Sequence, residues 1–128
     1  TELWGPTDAQ RRYEGRADLG NTQPGDGARY KGHGLIQVTG RANHAAARDR
    51  MRAKFGPQVP DFEAHPELLA EREWAAMSAG DYWHSRNLNA LADADRFELI
   101  TRRINGGLNG CADRLIKWHA VRAAMGIA

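Results

Sequence analysis

A chain of 128 residues, 41% hydrophobic and 27% charged, has the length and composition of one ordinary globular domain around one core. Its formal net charge of +2 falls well short of a nucleic-acid binder's footprint, and no apolar run approaches the roughly 20 residues that span a bilayer. The single cysteine, Cys111, excludes an internal disulfide and a thiolate zinc cluster, and no charged-then-apolar leader is visible, so no export signal of its own is expected.

The chain opens Thr1-Glu2-Leu3-Trp4, and Thr7 after Pro6 is placed to cap a short helix that runs to Tyr13 and stops at Gly15. From Gly15 to Gly34 there are six glycines, one proline and almost no apolar periodicity. That composition predicts a long loop, and a compact domain rarely keeps one without a task for it. Leu35-Ile36-Gln37-Val38-Thr39 alternates and predicts a short extended stretch. Thr39 then caps a helix from about Arg41 to Phe55, ended by Gly56-Pro57. After a second loop with Pro60 and Pro66, the residues Leu68, Leu69, Ala75, Ala76, Ala79, Tyr82 and Trp83 fall on one broad helical stripe. Asp95 and Glu98 have capping-box spacing ahead of Phe97, Ile100 and Ile104, and Gly106-Gly107 should stop that helix. A last helix places Leu115, Trp118, Val121 and Met125 on one face and closes near Gly126. The pattern predicts an all-α chain, a single domain over residues 1–128, with four helices of useful length and one short one.

Most candidate chemistry can be set aside on spacing. His33, His44, His65, His84 and His119 show no ligand spacing, so packing or surface roles are expected and no metal site. Gly25-Asp26-Gly27 through Gly32-His33-Gly34 is not followed by Gly-Lys-Ser/Thr, which argues against a phosphate cradle. Arg11-Arg12 and Arg102-Arg103 have no interleaved aromatic to stack bases and read as solvated helix faces. Ser78 and Ser85 lie inside a predicted helix, and Cys111 is two turns from His119, so neither makes an activated nucleophile. Carboxylates remain, and glycoside hydrolysis generally uses two. Glu2 and Glu14 flank the first short helix beside the glycine-rich segment. Tyr30, Gln37, Thr39 and Asn43 gather neutral polar groups that suit sugar hydroxyls, and Gln37 and Thr39 would share a side of an extended segment. Asn105 beside Gly106-Gly107 adds an amide where backbone can approach a ligand; a helix-ending cap is the alternative reading.

Three runs carry a resemblance. Tyr13-Glu14-Gly15-Arg16 continues to Gly20-Asn21-Thr22 and Gly25-Asp26-Gly27; Tyr30 through Asn43 contains Gly34-Leu35-Ile36-Gln37-Val38-Thr39-Gly40; and Thr101 through Gly110 leads to Ala112-Asp113-Arg114. Together with His65-Pro66-Glu67-Leu68-Leu69 they resemble glycoside hydrolase family 19, in its bacterial and phage lysozyme-like branch. The resemblance implies a lysozyme-like, family 19 chitinase-like helical domain that hydrolyses β-1,4 bonds next to N-acetylglucosamine with inversion. It implies Gln37, Thr39, Asn43 and Asn105 as sugar-cleft and water-positioning residues, Tyr30 in the same cleft, and Arg114 as an arginine that orders the site by ion pairing. The family's His-Glu-Ser/Thr-x-Gly-Gly acid helix has no counterpart here, so the general acid is expected just before Thr1. Glu2 then takes the general-base position, with Glu14 as its rival. His33 stands where many relatives have arginine. The expected activity is that of an endolysin cutting peptidoglycan, with a chitinase of the same family and an inactive glycan-binding fragment as alternatives. The implied partner is the polysaccharide, peptidoglycan or chitin. No cofactor, nucleic acid or membrane insertion is expected, and the protein should work as a monomer, made in the bacterial host cytoplasm before release to the periplasm and cell wall.

Overall fold

The computed structural model describes residues 5–127. Helices carry the fold, and among the described residues there is no strand, only an isolated antiparallel bridge between His33 and Val38. The fold class is all-α, as the sequence predicts. None of the helices among these residues is long and apolar enough to cross a membrane. The chain divides into two compact units, one ending at Ser85 and the next beginning at Arg86, where the sequence suggested one domain.

In the first unit, α1 (Asp8–Tyr13) starts as expected: Thr7 Oγ1 accepts from the Gln10 amide, and the Gln10 side chain accepts from the Thr7 amide. The segment from Gly15 to Gly34 is not one long loop. It holds a 3-10 turn, Ala17–Leu19, and a single helical turn, α2 (Asp26–Arg29). Two buried polar side chains explain the order. Asn21 donates from Nδ2 to the Tyr13 carbonyl and accepts at Oδ1 from the Arg41 amide, both at 2.9 Å. Asp26 receives both forks of the Arg41 guanidinium, at 2.9 and 2.7 Å. Composition alone could not show these links, because their partners lie up to 20 residues away.

Leu35–Thr39 is a correction too. His33 and Val38 exchange backbone bonds of 3.1 and 3.0 Å around a tight turn, and Gln37 sits at φ +56°. The turn replaces the predicted strand. Helix α3 (Arg41–Phe55) keeps the predicted bounds, but its N-cap is Gly40, with no side-chain cap from Thr39; the Asn21 oxygen serves the first amide instead. Met51, Val59, Phe62 and Leu69 form the core, with Trp74 edge-on to Phe62 at 6.2 Å. At about 1.5–3 kcal/mol for each large apolar side chain removed from water, this group dominates the unit's stability. Leu68 and Leu69 belong to a 3-10 turn, Pro66–Ala70, so the buried face of α4 (Arg72–Ser85) is Ala75, Ser78 and Asp81 rather than the predicted stripe. Asp81 joins α4 to α3 through Arg50 at 2.8 Å and Lys54 at 3.1 Å.

The second unit holds α5 (Leu88–Asp93), α6 (Phe97–Asn105) and α7 (Cys111–Ala124). Among the described residues its buried ones are few: Leu88, Thr101 and Cys111. The Asp95–Glu98 capping box does not form, since Arg96 is the N-cap and Asp95 lies in the left-handed region at φ +55°. Phe97 stacks on Trp118 at 6.3 Å, while Val121 and Met125, on the predicted apolar face, are exposed.

Candidate functional site

Of the two glutamates singled out, Glu2 lies outside the described residues. Glu14 follows α1 directly, and its carboxylate bridges to the start of α2. Oε1 accepts from the Gly25 amide and Oε2 from the Gly27 amide, each at 2.7 Å. Gly27 permits this approach, for a Cβ there would meet the Gln10 carbonyl at 2.5 Å and Glu14 Oε2 at 2.8 Å. An anion across the first amides of a helical turn is favourable by charge and by hydrogen bonding. Glu14 is therefore a clasp for the glycine-rich segment. Each oxygen keeps a second lone pair.

The structure brings Gln37, Thr39 and Asn43 together. Gln37 Nε2 donates to the Gly34 carbonyl (2.8 Å), Thr39 Oγ1 to the Gln37 carbonyl (3.0 Å), and Asn43 Nδ2 to the Thr39 carbonyl (2.7 Å). Gln37 and Asn43 are exposed and Thr39 is partly so. The result is a turn stiffened by its own side chains, displaying amide and hydroxyl groups at one edge of α3. Such groups match sugar hydroxyls and acetamido groups, which need both donors and acceptors.

Tyr30 stands behind this turn rather than on its surface. It is fully buried, its hydroxyl donates to the Glu63 carbonyl at 2.6 Å, and its own carbonyl accepts from the Gly40 amide at 2.8 Å. The Arg41 guanidinium lies 4.8 Å from its ring. Tyr30, expected in the same cleft as these residues, is thus corrected to support from beneath.

Charge is organised around the same wall. The Arg41 guanidinium holds the Asp26 carboxyl below its ordinary range, against the opposing effect of burial. Arg48 does the same for Asp61 at 2.7 Å and also reaches Glu63 at 3.1 Å. Two buried imidazoles, His33 and His44, complete the wall, and burial pushes His44 down to about 4. Among the described residues no group of three or more His, Cys, Asp or Glu side chains could hold a metal ion.

Asn105 and Arg114 belong to the second unit. Asn105 Nδ2 and Arg114 Nη2 converge on one acceptor, the Asn109 carbonyl, at 3.2 and 2.8 Å. Asn105 ends α6, followed by Gly106 at φ +73°, and Arg114 lies in the first turn of α7. Among the described residues the partner found for Arg114 is this carbonyl, where the resemblance implied an ion pair. Sequence reasoning missed Asn21, Asp26, Arg41 and His44 as shapers of the site. The one available signal was Asn21 after Gly20, a turn pair inside an otherwise unpatterned segment.

No protein-family model matches the chain. A curated protein of Haemophilus influenzae, named "Glycosyl hydrolase family 19 domain-containing protein", is 34% identical to it over 113 residues. The match covers 88% of this chain and 51% of that protein, so the chain spans about half the length of the relative. With an all-α fold, that likeness supports membership of glycosyl hydrolase family 19.

Proposed function

We propose that the chain is the catalytic domain of an endolysin, a glycoside hydrolase that cuts β-1,4 bonds beside N-acetylglucosamine in bacterial peptidoglycan. The observation that carries this reading is the turn of Gln37 and Thr39, braced by its own side chains and by Asn43 of α3, in a chain with a family 19 relative. In this reading the turn seats the acetamido sugar, and Asn105 and Arg114 are sugar-binding residues as the resemblance implies. Glu2 serves as general base toward water, and a second carboxyl group protonates the leaving oxygen. Inversion requires the two carboxyls to stand about 6.5–9.5 Å apart, with the attacking water between them. No cofactor takes part, and the enzyme acts as a monomer on the wall after release from the cytoplasm.

A glycan-binding chain without chemistry is the second reading. It is favoured by the clasp at Glu14, whose two oxygens are already engaged. One experiment separates the readings. The natural full-length protein is assayed in parallel for clearing of stripped cell walls and of colloidal chitin, with a Glu2→Gln variant beside it. The endolysin reading expects wall clearing faster than chitin clearing, and a fall of about 10²–10⁴ in rate for E2Q with sugar binding retained. Faster clearing of chitin would make it a chitinase, and binding without either activity would leave the second reading.

A further inference from the structure

Beneath the Gln37–Thr39 turn lies a contact that the proposed reaction does not use. His33 Nδ1 is 3.1 Å from His44 Nε2, with the rings edge to face at 82°. His44 Nδ1 is 2.8 Å from the Gly40 carbonyl. The partners assign the protons. A carbonyl only accepts, so neutral His44 carries its hydrogen on Nδ1 and leaves Nε2 as an acceptor. The hydrogen between the rings therefore belongs to His33 Nδ1. A further proton on His33 would go to its Nε2 and leave this bond intact. A proton on His44 Nε2 would set N–H against N–H and break it.

The contact joins both sides of the turn. His33 makes the two backbone bonds of the bridge to Val38, and His44 lies in the first turn of α3, whose N-cap is Gly40. Among the described residues a charged His44 finds no counter-charge, and His33 disfavours its protonation further. On His33 the Lys31 charge disfavours the imidazolium, while a hydrogen bond to the Lys31 carbonyl and the Glu67 charge favour it, and Tyr30 presents its ring edge-on to His44 at 5.3 Å. On α3, Arg41 is held by Asp26, and Arg48 by Asp61 and Glu63. Among the described residues no carboxylate acts on His44.

We propose that the His33–His44 contact is a positioning latch: it holds the Gln37–Thr39 turn in the form that grips an aminosugar chain while His44 is neutral, and lets go when His44 is protonated. The proposal rests on the reading of that turn as a glycan site. Its sign follows from burial. The closed turn lowers the basicity of His44 to about 4, while a released imidazole returns to the ordinary range near 6.5. Closure is therefore fully favoured above that ordinary value and is progressively offset as the pH falls toward about 4.

The test follows the full chain by NMR from about pH 7 to about pH 3.5. It reads the histidine ring nitrogens, the exchange protection of the Val38 amide, chitotetraose affinity by calorimetry and far-ultraviolet ellipticity. The latch expects Val38 protection and chitotetraose affinity to fall together by about tenfold or more as His44 titrates, with helical ellipticity retained. His44→Gln replaces the ring by an amide that does not titrate, so its affinity should change by less than about twofold over the same range. Wild-type affinity and Val38 protection that stay flat through the His44 titration overturn the latch, and so does an acid loss that persists in H44Q. A folded chain that never binds chitotetraose, yet opens at Val38 with His44, overturns instead the glycan reading and this role with it.

Discussion

Both oxygens of Glu14 accept from backbone amides at 2.7 Å, and that geometry decides what its removal does. In Glu14→Gln an amide group would face either the Gly25 or the Gly27 N–H, donor against donor. A hydrogen bond to a charged group contributes about 1.5–3 kcal/mol, and exposure reduces that, so E14Q should lower unfolding free energy in urea by about 1–2 kcal/mol. A loss of hydrolysis at unchanged stability would instead make Glu14 the base. Asp26 is the buried counterpart. Its carboxyl titrates below the ordinary range in the folded chain because Arg41 grips it, so it stabilises the fold fully above that range and loses this contribution as the pH falls through the depressed value. Asp26→Asn should therefore lower stability at pH near 6 and flatten its decline in acid, as urea titrations at two pH values would show. These roles explain why the site was only half visible beforehand. Gln37, Thr39 and Asn43 could be picked out because their side chains suit sugars, and hydrogen bonds link the first two, in the turn, to the third at the start of α3. Tyr30 has the same chemistry on paper, but only packing shows that its hydroxyl is already committed to Glu63.

Elements were readable where local chemistry governs them. Helix α3 ends at Gly56 because φ is +100° there, and α6 ends at Gly106 for the same reason; a glycine after an apolar run announces both. Thr39 does not cap α3, because the group that serves its first amide, Asn21, is far away in sequence. The strand expected at Leu35–Thr39 failed because alternation fits a short turn as well as a strand, and nothing about glutamine announces φ +56° at Gln37. The turn is anchored at Gly34, which sits at φ +79° with the Leu69 carbonyl 2.9 Å from where a Cβ would be and Ser78 Oγ at 3.5 Å. Gly25 also has positive φ, +89°, but nothing lies within 4 Å. Gly34→Ala carries both the left-handed penalty and a clash with backbone that cannot yield, and should cost about 2–4 kcal/mol; Gly25→Ala carries the penalty alone, about 1–2 kcal/mol. Chemical denaturation of the two variants checks the order. If G25A proves as costly as G34A, close packing of the turn on the Leu69–Ser78 segment is not what requires the glycine.

Burial is distributed unevenly along the chain, and stability should follow it. The unit ending at Ser85 contains the whole cluster of Met51, Val59, Phe62 and Leu69, together with the buried Asp26–Arg41 and Asp81–Arg50 pairs. Among the described residues the unit from Arg86 buries only Leu88, Thr101 and Cys111, while Ile116 and Met125 are 71% and 66% exposed. An amphipathic sequence pattern could not reveal this difference, since α7 carries as regular an apolar face as a buried helix would. Few buried apolar contacts mean a small free energy for local opening. Hydrogen exchange should therefore separate the two. Amides around Ala47 and Met51 in α3 are expected to exchange only through global unfolding, and those in the middle of α7 at an opening free energy lower by on the order of 2 kcal/mol or more. The clasp at Glu14 belongs to the first unit, so E14Q should accelerate exchange in α2 and leave the α7 amides unchanged. Equal protection of α3 and α7, falling together in E14Q, would show instead that the chain opens as one cooperative body.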